Sequence, residues 1–315
     1  MEERTSVARQ GGPPVFGYAL LIGLALFWGF NWPAMKIIVG EMTVWWFRAL
    51  SVTVGGVGLL VLAWLTSGTK WPDRSEFMPL VICAIFSILG WHIFTGYGVS
   101  LIPAGRASII AYLMPLFVAV FSVPVLGERM TWHKIAGLLL GIAGLAVLIG
   151  PDLIVVQQAP IGALCMVAAA FTWAIGTVLF KKFAWVSPVT AITGWQLLLA
   201  ALVIVPGALI LEPVPDFAGL SQDVWVALLY LFALPMIFCQ WAFLMVIRIF
   251  PAAVAAIGTL AVPVVGVYSS ALVLGEPVGW AEFTALILIS AALFVVLVLP
   301  ALAGRTGRHA TRPSA

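Results

Sequence analysis

The sequence predicts an all-α membrane protein: ten transmembrane helices arranged as two inverted five-helix repeats. Three observations carry that expectation. The 315 residues are 63% hydrophobic and only 9% charged, against roughly 25% charged residues in a soluble domain. Apolar runs long enough to cross about 30 Å of hydrocarbon recur along the whole chain. Residues Pro103 to Leu148 and Pro251 to Val296 read as two copies of one segment. A soluble fold could not hide this much apolar surface without large exposed patches, so lipid is the natural solvent.

The first five runs are Val15–Ile38, Val44–Leu65, Phe77–Val99, Ala104–Leu126 and Trp132–Ile149. The second five are Pro160–Phe180, Pro188–Leu211, Val224–Val246, Ala252–Leu274 and Trp280–Leu299. Each is expected to be a helix, because only helices or closed barrels satisfy every backbone group in lipid. The runs are too long and too uniformly apolar for barrel strands. Arg4 and Arg9 precede the first run, as in a signal peptide. That run is too long for such a segment and lacks a small-x-small cleavage site, so it reads as a retained helix. The expected division is an N-terminal tail over 1–14, one repeat over 15–150, a second over 160–300 and a C-terminal tail over 301–315.

At the constant offset, Pro103 faces Pro251, Ala104 faces Ala252 and Ile109 faces Ile257. Pro115 faces Pro263, Gly127-Glu128 faces Gly275-Glu276, and Trp132 faces Trp280. A looser match sets Trp28 and Lys36 against Trp173 and Lys181. Repeated membrane halves point to transport. Of the 15 Lys and Arg residues, 12 fall on the side of the N-terminus: Arg4, Arg9, Lys70, Arg74, Arg129, Lys134, Lys181, Lys182, Arg248, Arg305, Arg308 and Arg312. Basic loops stay inside, so both termini are expected to be cytoplasmic at a plasma (inner) membrane. Five helices per half is an odd number, so the second half must run opposite to the first.

The modest net charge of +3 and the lack of a basic run exclude a nucleic-acid partner. Cys83, Cys165 and Cys239 lie in apolar stretches without metal or disulfide spacing. No Walker motif is present, so ATP is not the expected energy source. The expected partners are the lipid bilayer and a small-molecule substrate, with no cofactor and no metal. Monomer and homodimer both remain open.

The chain resembles the drug/metabolite transporter superfamily in its ten-helix form with two EamA-type repeats. Trp28-Gly29 with Asn31, Phe47-Arg48-Ala49, and Pro103-Ala104 through Pro115 to Gly127-Glu128 carry the likeness in the first half. Trp173 and Pro251-Ala252 through Pro263 to Gly275-Glu276 carry it in the second. The resemblance implies export of amino acids or other small metabolites, aromatic amino acids among them, by alternating access. The second half lacks counterparts of Asn31, Arg48 and Arg106, so a substrate site is expected to be asymmetric.

Trp28, Asn31, Trp32 and Met35 fall on one face of the first helix, as do Trp173, Gly176, Thr177 and Phe180 in the sixth. Trp28 and Trp173 lie mid-span, away from the interfacial belts where tryptophan gathers. They are candidate walls of a substrate cavity, with Asn31 orienting the ligand; plain helix packing is the competing reading. Polar side chains in hydrocarbon are costly and turn inward, which adds His92, near Thr95 and Trp91, and Gln240, followed by Trp241. His92 and Gln240 occupy equivalent positions at the repeat offset. Ser108, Tyr112 and Pro115 share a face of the fourth helix, and Pro115 should free the carbonyl of Ala111. Arg106 opens that helix and is a candidate for a substrate carboxylate. Lys36 and Arg48 are expected to snorkel to headgroups or pair with Glu41.

Each Gly-Glu turn is expected to end a helix in a left-handed glycine, with the glutamate near the positive end of the next helix. Gly137, Gly141 and Gly144 mark close helix packing, within the chain or between protomers. The rival function is a membrane-embedded enzyme acting on a lipid or peptide. The sequence offers no buried acid pair, HExxH or GxSxG for it, and His92 has no orienting acid.

Overall fold

A computed structural model describes residues 15–68, 71–149, 159–249 and 252–299, without the side chains of 149, 159–160, 244, 247–248, 252–260 and 297. Both predicted tails therefore lie outside the described residues, as do Lys70, Pro251 and the side chains of Arg248, Ile257 and Thr259.

Among the described residues every regular element is helical. The first half holds α1 (Val15–Glu41) and α2 (Val44–Ser67). Its third segment runs through a 3₁₀ turn at Arg74–Glu76, α3 (Phe77–Cys83), a π-helical stretch at Ala84–Gly90 and α4 (Trp91–Leu101). Next come α5 (Ala104–Ala111), α6 (Met114–Leu126) and α7 (Trp132–Ile149). The second half holds α8 (Ala159–Lys182), α9 (Val189–Leu211), α10 (Gln222–Leu231), a π-helical stretch at Phe232–Phe238 and α11 (Cys239–Ile249). It closes with α12 (Ala252–Leu274), α13 (Trp280–Leu293) and a π-helical turn at Phe294–Val298. Among the residues described with their side chains, seven helical stretches are long and apolar enough to cross a membrane, and three further apolar stretches, Trp132–Leu148, Ala261–Leu274 and Trp280–Val296, are shorter.

The outside of the bundle is as apolar as its core. Leu202, Ile210 and Leu272 are 71%, 80% and 80% exposed, which water would penalise and lipid does not. Small residues such as Ala169, Ala170, Ala191 and Ala242 are buried instead, as expected where close backbone approach holds helices together in lipid. Gly56 and Gly194 meet in this way. A Cβ on Gly56 would come 3.1 Å from the Gly194 carbonyl, and one on Gly194 would lie 3.2 Å from that of Gly56.

The halves interleave rather than sit side by side. α1 packs on α12 and on α10–α11 of the second half, while α8 packs on α5–α6 and on the π stretch and α4 of the first. α2 packs on α9, α7 on α13 and α5 on α12. Exchanging each segment for its repeat partner returns these pairings, whereas the contacts of α1 with α4 and α5, and of α2 with α4, have no counterpart of similar extent among the described residues. The two π stretches also coincide under the repeat, since Ala84–Gly90 and Phe232–Phe238 occupy equivalent positions. One segment breaks the correspondence. α12 passes through Pro263 as a single helix, whereas the chain at Pro115 divides into α5 and α6. Tyr112 and Leu113 donate to Ile109 and Ile110 in tight three-residue turns, and Pro115 falls in the first turn of the new helix, where its missing N–H costs little.

Hydrogen bonds tie segment ends into two groups. In one, Glu41 accepts from Ser221 N and Oγ at 2.8 and 2.6 Å. In the same group Glu212 accepts from Trp45 N at 3.1 Å, and Glu276 accepts from Ala104 N and Gly105 N at 2.7 and 2.9 Å. In the other group, Glu76 accepts from Ser187 N at 2.9 Å and Glu128 from Lys181 Nζ at 2.9 Å. Gly127 and Gly275 end their helices at φ 69° and 68°, the left-handed stop that the sequence predicts. Glu276, however, binds the opening turn of α5 rather than that of the following α13. Gly137 and Gly144 pack within the chain, on Val296 and on Ile289 of α13, and Gly141 packs on Leu116.

Candidate functional site

Segments one to three bring the interior polar groups together. Arg48, in the second turn of α2, is 3% exposed. Its Nη2 donates to Thr95 Oγ1 at 2.7 Å and approaches Met35 Sδ at 3.4 Å. The guanidinium carbon lies 4.4 Å from the centre of the Phe47 ring. Asn31 Nδ2 points at the same Met35 sulfur from 3.7 Å. Thr95 donates its own hydroxyl proton to the Trp91 carbonyl at 2.6 Å, so towards Arg48 it can only accept. His92, one turn before Thr95, is buried, with Nδ1 2.9 Å from the Ile88 carbonyl. Gly96 permits the approach, because a Cβ there would lie 2.5 Å from Val44 and 3.3 Å from Arg48 Nε.

The sequence places Arg48 and Lys36 as snorkelling residues or partners of Glu41, and the structure corrects both. Arg48 turns inward onto α4. Lys36 Nζ donates to the carbonyls of Val99, Ser100 and Ile102 at 2.8, 3.2 and 2.9 Å, where the last turn of α4 leaves acceptors and a partial negative charge. Glu41 is engaged by Ser221 instead. A residue five positions into a helix is a plausible snorkeller by depth alone. Only its azimuth relative to α4 makes it an interior charge, and the Gly96 opposite was the available signal.

The other candidates form separate groups. Trp28 packs on Phe243 of α11, ring centres 5.6 Å apart, and Trp241 on Phe238 at 5.9 Å. These rings belong to the contact of α1 with the eighth segment, and Gln240 is half-buried next to Trp241. Trp173 meets Trp91 at 6.3 Å in the equivalent contact of α8 with the third segment. Ser108 is fully buried and donates to the Gly105 carbonyl at 2.7 Å, and Tyr112 lies buried at the α5–α6 break. Arg106 Nε pairs with Glu282 Oε1 at 2.6 Å, so an acid of the second half meets its charge. Arg48, expected from the sequence at headgroups or beside Glu41, is instead the buried basic residue of this interior. Among the described residues no group of acids, histidines and cysteines could hold a metal ion.

Long apolar helices, a lipid-compatible exterior and two interleaved halves around interior polar groups define a multi-pass α-helical membrane protein. The EamA-like transporter family matches residues 15–150 and 160–298. The chain belongs to that family, whose members are transporters rather than enzymes. It is similar to the uncharacterized transporter YoaV of Bacillus subtilis, at 28% identity over 65% of this chain and 70% of that one. It is also similar to the aromatic amino acid exporter YddG of Ancylobacter novellus, at 33% identity over 52% of this chain and 57% of that one. A solved crystal structure shares the fold with a TM-score of 0.64, covering 94% of this chain and 99% of the other at 23% identity.

Proposed function

We propose that this protein exports small metabolites, amino acids above all and apolar and aromatic ones included, by alternating access between two inverted halves of five membrane crossings each. The exchange symmetry of the packing carries this reading. Contacts α1–α12 and α1–α10/α11 have as counterparts α8–α5/α6 and α8–α4, while α2–α9, α7–α13 and α5–α12 map onto themselves. Halves related in this way can trade conformations, which gives two states of similar energy without a nucleotide.

Ten crossings are supported by length and by the segment ends. α7 has 18 residues and α12 has 23, or about 27 and 34 Å of helix. Every end-to-end hydrogen bond described above joins ends that strict alternation would put on the same side. With both termini cytoplasmic at the inner membrane, the Glu128 turn is inside and the Glu276 turn outside, in keeping with the basic residues Lys134, Lys181 and Lys182 near the former.

The substrate site is assigned to the interior faces carrying Trp28, Asn31, His92, Ser108, Tyr112, Trp173, Gln240 and Trp241, with Arg106 at its outer edge. Aromatic walls with few hydrogen-bonding groups suit an apolar side chain better than a sugar or a polyanion. Purified protein in liposomes loaded with labelled phenylalanine, tryptophan or leucine is expected to release them faster than protein-free vesicles. Absence of protein-dependent flux for any amino acid would refute the assignment. An imposed pH gradient then separates proton coupling from facilitated diffusion.

A further inference from the structure

We infer that Arg48 is a carboxylate-binding centre, so that substrates must bring their own negative charge to be recognised; the inference rests on the transport reading above and narrows its substrate class. The observation is an imbalance of charge. Lys36 is held by three carbonyls, Arg106 pairs with Glu282, and Lys134 and Lys181 both pair with Glu128. Arg48 is the most deeply buried of these cations, yet no carboxylate among the described residues reaches it. Its acceptors are a hydroxyl and a thioether, both neutral and the second weak. Its Nε is buried with no acceptor at all.

Such an arrangement is poor as a permanent structure and well suited to an intermittent partner. A buried cation needs a counter-charge, and a guanidinium is matched best by a planar oxyanion that takes two of its N–H groups. The Asn31 amide shares the Met35 sulfur as its acceptor, so one oxyanion displacing that thioether would satisfy two under-used donors from two helices. At the offset that pairs His92 with Gln240, Arg48 faces Gln196, whose Nε2 is likewise buried without an acceptor. The charge therefore resides in one half only, and a single carboxylate is read asymmetrically.

The test compares ligands that differ only in charge, by thermal unfolding of the purified protein with 3-phenylpropionate or its amide, and by competition of L-phenylalanine or its amide against labelled phenylalanine flux. Wild type is expected to be stabilised by the carboxylate and not by the amide, and flux to be competed at least tenfold better by the acid. Arg48→Gln, which installs the residue of the other half, is expected to lose the carboxylate-dependent shift while its ligand-free unfolding temperature stays the same or rises. Equal effects of acid and amide on wild type would overturn the inference, and that comparison needs no variant to fold. So would an undiminished carboxylate shift in Arg48→Gln. A carboxylate-specific shift without amino-acid flux would uphold Arg48 as an anion site and refute the transport assignment instead.

Discussion

Glu276 reaches across the whole repeat to hold the start of α5: its two carboxylate oxygens accept from the backbone amides of Ala104 and Gly105 at 2.7 and 2.9 Å. An acid from the second half thus caps a helix of the first, at the end where the helix dipole is positive. Beside it, Arg106 and Glu282 join the same two halves. Glu276→Gln keeps the shape and removes the charge. It is expected to lower stability by about 1 kcal/mol, within the range for a lost helix cap, read as a fall in unfolding temperature. An unchanged transition would show that this contact carries no net stability.

Lys36 performs the converse task at the other end of a helix. Its ammonium meets three carbonyls at the end of α4 and just beyond it, acceptors with no further turn to satisfy them. Lys36→Met should cost about 1–3 kcal/mol, as for buried acceptors losing a charged donor. Thermal unfolding measures this directly, and a loss no larger than that of an exposed lysine such as Lys182 would refute the capping role.

Asn31 separates recognition from packing. Its side-chain contact is a long one, 3.7 Å to the Met35 sulfur, so Asn31→Ala should change stability by less than about 1 kcal/mol. Flux of the preferred amino acid is nevertheless expected to fall about tenfold, the worth of one good hydrogen bond to substrate. Wild-type flux in this variant would remove Asn31 from the site.

Glu128 predicts a pH dependence. Lys181, with Ser122 and Lys134 after it, holds its carboxyl well below the ordinary value of 4.5, at about 2. A group depressed in the folded state contributes stability above its unfolded value and loses it as pH falls through the folded one. The contribution should therefore be complete above about pH 4.5 and fade towards pH 2. Its side chain is 37% exposed, so solvent and salt screen the pair and the effect is small. Unfolding temperatures of Glu128→Gln and wild type should converge across that window and also with added salt. A constant difference would point to packing.

Much of this architecture was legible in one dimension. Lipid imposes helices on any long apolar run, and the matching prolines and Gly-Glu turns exposed two related halves. The left-handed stops at Gly127 and Gly275 followed from residue chemistry, because few other residues tolerate that backbone. The proline positions were less informative. Pro115 and Pro263 look equivalent in sequence, yet the chain breaks at one and continues through the other, since a freed carbonyl can be met by either local geometry.

The sequence by itself determined the solvent, the helices and the repeat, because each depends on composition or on spacing along the chain. Only the tertiary structure decided which helices meet, and with that the meaning of each interior charge. Depth within a span is readable from position, but azimuth is fixed by the neighbour a helix packs against. That is why Lys36 became a helix cap, Arg106 a partner of Glu282, and Arg48 a buried cation facing Thr95 and Met35.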